Sequence, residues 1–129
     1  MKKVLPALLL SCAALLTTAS AQKRAAGNPC DDARTQLDMN ICADKQFKIA
    51  DAELNRVYNQ LASKLEEDKR AKLKAAEVSW LKYRDSNCDY EASVYEGGSM
   101  QPMTYSFCLE RMTKSRTTEL REQLKELSQ

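Results

Sequence analysis

Between Pro29 and Gly97 the chain contains neither proline nor glycine. These are the residues that most readily end a helix, one by removing a backbone donor and the other by opening the left-handed region. Apolar residues recur along the same interval at steps of three and four, the spacing of one helical face. Leu37, Ile41, Ala50, Leu54, Val57, Tyr58, Leu61 and Leu65 form a first stripe, and Leu73, Ala76, Trp80, Tyr83, Asn87, Tyr90 and Val94 a second. Met112, Leu120, Leu124 and Leu127 continue the period beyond the break. No alternating strand pattern competes. The expected fold is all-α: a small bundle built on a long antiparallel helix pair, with a further C-terminal helix.

Helix punctuation sets the expected boundaries. Asn28-Pro29 before Asp31-Asp32 suits a helix start, and Thr35-x-x-Asp38 suits a capping box from which the long helix begins anew. Glu66-Glu67-Asp68 is the turn inside the interval, with Asp68 as cap for a second helix over about 69–95. Gly97 is placed to end that helix in a left-handed cap. Pro102 is expected to delay the third helix, with Thr104 or Ser106 capping it.

The first residues have a different character. Met1-Lys2-Lys3, an apolar run over Val4–Leu16 and the small-residue site Ala19-Ser20-Ala21 form the pattern of a secretory signal. Cleavage after Ala21 leaves a single domain over 22–129 with no membrane-spanning segment, periplasmic or secreted. A lipid anchor on Cys12, from the lipobox-like Leu9-Leu10-Ser11-Cys12, is the alternative. Loss of Lys2 and Lys3 lowers the basic count from 20 to 18, equal to the 18 acidic residues. A neutral mature chain offers no broad basic field for nucleic acid.

Cys30, Cys42, Cys88 and Cys108 then remain. Four cysteines in a small exported domain are a disulfide framework. No histidine is present and no Cys-x-x-Cys pair, so neither a metal site nor a cofactor is expected. If helices flanking a turn near position 98 run antiparallel, position 88 faces about 108. A Cys88–Cys108 bridge would clamp that loop. Twelve residues of straight helix would hold Cys30 and Cys42 about 18 Å apart, so a local Cys30–Cys42 bridge needs a bend between them. The favoured pairing is local. Cys42–Cys88 with Cys30–Cys108 is the alternative.

Catalytic constellations are missing. There is no imidazole base and no G-x-S-x-G. Ser79-x-x-Lys82 lacks the S-D-N and K-T-G companions of its enzyme class. No enzyme activity is expected. Trp80 is read as a core anchor, and Arg84 and Asp85 as a local ion-pair network. The stretch from Asp85 to Glu110 holds five acids and no lysine or arginine. It surrounds a loop with two adjacent glycines, and Glu91, Tyr95, Glu96, Gly97, Gly98, Ser99 and Met100 make up the expected partner-binding surface. An acidic, aromatic, methionine-bearing loop suits a cationic partner.

The ordered motifs A-D-A-E-L-N-R-V-Y (50–58), W-L-K-Y-R-D-S-N-C (80–88), Y-E-G-G-S-M-Q-P (95–102) and T-x-x-R (113–116), with the spacing C-x11-C before them, resemble the LprI-like lysozyme-inhibitor family. The resemblance covers Cys30 to about Leu120. It implies an exported, mostly helical bacterial domain, in a family named for a lipoprotein that inhibits lysozyme. Stoichiometric occlusion of a lysozyme cleft by the loop is the expected function. A periplasmic interaction or immunity protein of the envelope is one alternative. A peptidoglycan- or sugar-binding module is another, and its mark would be solvent exposure of Tyr83, Tyr90 and Tyr95.

Overall fold

A computed structural model describes residues 30–129; the signal-like segment, Cys12 and the Asn28-Pro29 helix start lie outside the described residues. Three long helices follow in order: α1 (Gln36–Ser63), α2 (Glu67–Ala92) and α3 (Gln101–Glu126). A single 3-10 turn, Ser93–Tyr95, extends α2. No described helix is long and apolar enough to cross a membrane.

The chain enters through a turn rather than a helix at Asp31-Asp32, with the Ala33 amide donating to the Cys30 carbonyl at 3.2 Å. That turn lets Cys30 double back on Cys42, with Cα atoms 5.4 Å apart. The helix begins where the capping box stands. The Asp38 amide donates to Thr35 Oγ1 and the Thr35 amide to Asp38 Oδ2, both at 3.1 Å. The second bridge, Cys88–Cys108, also spans 5.4 Å between Cα atoms. The local pairing is therefore the one present.

Two expected caps fall elsewhere. Glu66, not Asp68, stands at the N-cap of α2 and makes no side-chain cap bond. Asp68 sits inside the first turn beside Glu67, where negative charge still favours the helix dipole. Arg70 fixes the turn instead, donating to the Ala62 carbonyl at 3.1 Å and the Leu65 carbonyl at 2.9 Å. Pro102 does not delay α3. It lies within the first turn, where its missing N–H has no helical partner to lose, and the helix starts at Gln101 with Met100 at the N-cap, so Thr104 and Ser106 lie inside it rather than capping it.

α2 runs antiparallel to both neighbours, and α1 and α3 run parallel. Asn40 meets Ser99 near one end of the α1–α3 pair, and Glu53 meets Arg121 further along both helices. The expected α1–α2 hairpin is present, but the closest packing is between α1 and α3. The reason lies in side-chain size. Ala43 and Ala50 on α1 and Ser106, Thr113 and Thr117 on α3 are all buried and small, so the two backbones approach. The inner face of α2 carries Glu77, Trp80 and Arg84, whose bulk holds it away from α1.

The apolar core is divided. Leu54, Val57, Leu61 and Leu120 form one cluster toward the α1–α2 turn, with Leu73, Trp80 and Leu124 packed on it. Cys88, Cys108 and Leu109 form another at the loop end, joined by Phe47, Tyr105 and Met112. Burying Leu61 or Leu120 contributes about 1.5–3 kcal/mol each. Several stripe residues are not core. Leu37 is 66% exposed, Tyr83 60%, Tyr90 74% and Val94 79%. Helical period marks a face, but only part of the α2 stripe meets the core: Leu73 and Trp80 pack on it, whereas Tyr83, Tyr90 and Val94 face solvent because Arg84 and Cys88 take the buried position there.

Candidate functional site

All the residues expected to bind a partner lie at one end of the bundle, where the α2–α3 connection and the start of α1 come together. Residues 93–100 are all exposed to solvent. Glu96 follows the 3-10 turn, and Gly97 takes φ +72°, which only glycine adopts without strain. Its amide donates to Gln101 Oε1 at 3.0 Å. The Gly98 amide donates to the Tyr95 carbonyl at 2.8 Å, and a Cβ at Gly98 would stand 3.1 Å from that oxygen. Asn40 Nδ2 donates to the Ser99 carbonyl at 3.1 Å, tying the loop to α1. Met100 accepts from the Thr104 amide at 3.0 Å and is itself 38% exposed. With the disulfide at its base, the loop is held from both sides while its tip stays open. The Ser99 hydroxyl has no partner among the described residues.

The acids are less free than their number suggests. Glu91 accepts from Arg111 at 2.9 Å through both oxygens and from Asn87 at 2.9 Å. Those bonds, Arg111 first, hold its carboxyl below the usual glutamate value. Asp85 is bound by Arg84 and Glu110 by Lys114. Asp89 and Glu96 remain without an ion pair among the described residues, so the negative charge at this end is carried chiefly by these two.

A second constellation lies between the two apolar clusters. Arg84, buried, donates to Asp51 at 3.1 Å, to Asp85 at 2.9 Å and to Thr113 Oγ1 at 3.2 Å. Its guanidinium also stands 5.2 Å from the Phe47 ring centroid and 5.5 Å from that of Trp80. Arg116 lies 5.9 Å from the Trp80 centroid, and both its Nε and NH2 donate to Glu77 Oε2 at 3.0 Å. Trp80 is thus half-buried among cations as well as apolar neighbours. The Arg84–Asp85 pair was legible locally, but its reach to Asp51 and Thr113 was not. The signal was present in the motifs: Asp51, Trp80, Arg84, Thr113 and Arg116 come from three separate ones.

The described residues thus form a three-helix, two-disulfide domain with a pinned loop at one end. A family model described as lysozyme inhibitor LprI matches residues 28–120. An uncharacterized protein of Rhizobium meliloti (strain 1021) is 37% identical over 135 residues, covering 95% of each chain. No solved structure matches. The chain belongs to the LprI lysozyme inhibitor family.

Proposed function

We propose that this protein is exported, loses residues 1–21, and inhibits a lysozyme by stoichiometric occlusion of its cleft, with no cofactor and no turnover. The observation that carries this reading is the loop from Glu96 to Met100, exposed throughout yet clamped by Cys88–Cys108 and Asn40. A loop ordered in advance loses little freedom on binding. Lysozymes of the animal type hydrolyse with two carboxylates in a cleft. The Ser99 hydroxyl can donate to such a carboxylate, and the two glycines let the backbone come close. Asp89 and Glu96 favour encounter with a cationic partner. Titrating lysozymes with the mature protein tests this: lytic activity falls linearly to a one-to-one end point. Retention of full activity at molar excess overturns it.

A second reading is favoured by one specific observation. Tyr83, Tyr90 and Tyr95 are 60%, 74% and 41% exposed, and Tyr83 and Tyr90 lie two helical turns apart on one face. Exposed rings along a helix suit stacking on sugars, so a peptidoglycan- or sugar-binding module is the alternative. Cosedimentation with purified peptidoglycan, abolished by Tyr90→Ala, separates it from inhibition at the loop.

A further inference from the structure

We propose that the pocket between α2 and α3, beside the loop, seats an arginine side chain of a cationic protein partner, with Asp89 receiving the guanidinium and Tyr105 giving it a ring to lie on. Asp89 and Ala92 from α2 and Gln101, Pro102 and Tyr105 from α3 line a space of about 250 Å3. Small-molecule sites usually enclose about 300–1,000 Å3, so this one suits a single side chain. Ala92 is buried and Tyr105 packs against the Cys88–Cys108 cluster, so the apolar walls are fixed in place. Gln101 belongs to pocket and loop at once, because its Oε1 accepts from the Gly97 amide. On the reading of the loop as a docking surface, on which this site rests, a partner seated on Gly97 and Gly98 also covers the pocket.

Charge selects the occupant. Asp89 is the only ionised residue lining the pocket. It stands exposed, with neither carboxylate oxygen in a hydrogen bond or ion pair among the described residues. The nearest lysine on that face of α2 is Lys82, about 10 Å away along the helix with Asp85 between them. Arg84 is buried and committed to Asp51, Asp85 and Thr113. Burial first, and then Asp85 and Asp89 against an opposing Arg84, push the Tyr105 hydroxyl above its ordinary value, so the net field at the ring is negative. Two open oxygens on one carboxylate match the two-pronged fork of a guanidinium, and an aromatic face beside them is where that flat cation stacks. A lysine ammonium is a point charge that gains from neither feature to the same extent.

Titration of the isotope-labelled mature protein with Nα-acetyl-arginine methylamide, followed by NMR, is the test. Saturable shifts at Ala92 and Tyr105 are expected. The citrulline analogue, which keeps the shape and loses the charge, should bind at least tenfold more weakly, and the lysine analogue at least threefold. Asp89→Asn should weaken the arginine probe at least tenfold with helicity retained. Pro102→Trp, which fills the pocket from an exposed position with no side-chain bond to lose, should do the same while Asp89 stays intact. One equivalent of an inhibited lysozyme should displace the probe. Absence of saturable shifts at Ala92 and Tyr105, equal binding of the citrulline or lysine analogue, or unaltered binding by Asp89→Asn overturns the pocket. A lysozyme complex that retains the probe overturns its part in that contact. A protein that binds the probe yet leaves lysozyme fully active keeps the pocket and sinks the inhibitor reading, so the two failures are told apart.

Discussion

Arg84 on α2 reaches Asp51 on α1 with NH1 3.1 Å from Oδ1, across 33 residues of sequence. Apolar contact between these two helices is sparse in this layer, so the pair and the stack around it hold them in register. Arg84→Lys should lower unfolding free energy by about 1.5–3 kcal/mol, the scale of hydrogen bonds to charged groups. A lysine ammonium cannot span Asp51, Asp85 and Thr113 together or lie flat between Phe47 and Trp80. Lys72→Glu, exposed near the start of α2, should stay within about 0.5 kcal/mol. Urea denaturation of the three proteins checks this, and equal midpoints for Arg84→Lys and wild type would refute it.

The two disulfides should differ in weight. Cys88–Cys108 closes the longer loop and both sulfurs lie inside an apolar cluster, while Cys30–Cys42 ties a short entry segment to a helix that Thr35 already caps. Loop length alone favours Cys88–Cys108 by only about 0.5 kcal/mol, and its loss also disturbs packing around Met112. Removing it by paired alanines should cost about 3 kcal/mol or more. Removing Cys30–Cys42 should cost less. Guanidinium midpoints of the two double variants decide, and the reverse order counts against this account.

Helical class and the two bridges could be read from local chemistry, because a capping box, a glycine stop and a twenty-residue separation act over short range. The partners of those helices could not. Tyr83, Tyr90 and Val94 have a core period yet face solvent, since α2 is seated by Cys88, Arg84 and Glu77 on its other side. Nothing local says that a charged face will be the buried one; that depends on Asp51, Thr113 and Arg116 arriving from elsewhere. Similarly, the acids of the loop end were visible as a run without lysine or arginine, but Arg111, one residue outside it, neutralises Glu91. The loop residues themselves were legible because glycines at a helix end have few other uses.

Glu53 links α1 to α3 through Arg121 and also binds Arg56 at 2.7 Å. These arginines, Arg56 first, pull its carboxyl down to about 2 from the ordinary 4.5. A depressed folded value means that the bridge contributes fully above about pH 4.5 and is lost as pH falls toward 2. Both arginines are exposed and Glu53 is partly so, so the effect is modest and screened by salt. Glu53→Gln removes this dependence. The melting temperature of wild type should therefore fall more steeply than that of Glu53→Gln between pH 4.5 and 2 in low salt. Parallel curves would mean that the bridge contributes nothing in solution.

The loop hypothesis yields the last prediction. Glu91 is a poor probe, because changing it also breaks the bridge to Arg111 and Asn87. Gly97 is equally unsuitable, since a side chain at φ +72° costs about 1–2 kcal/mol before any partner is considered. Glu96 and Ser99 avoid both faults, being exposed at the tip with no side-chain bond to lose. Glu96→Lys should slow association with a cationic lysozyme and flatten its salt dependence, because rim charges act mainly on the on-rate. Ser99→Trp should instead raise the off-rate by at least tenfold, as its bulk bars the tip from a cleft while Asn40 still holds the Ser99 carbonyl. Lys72→Glu, at the opposite end of the bundle, should alter neither rate. Surface plasmon resonance over a salt series, with melting curves to confirm intact folds, measures all three. If both loop variants bind as wild type does, the contact with lysozyme is made elsewhere and the loop serves only to connect α2 and α3.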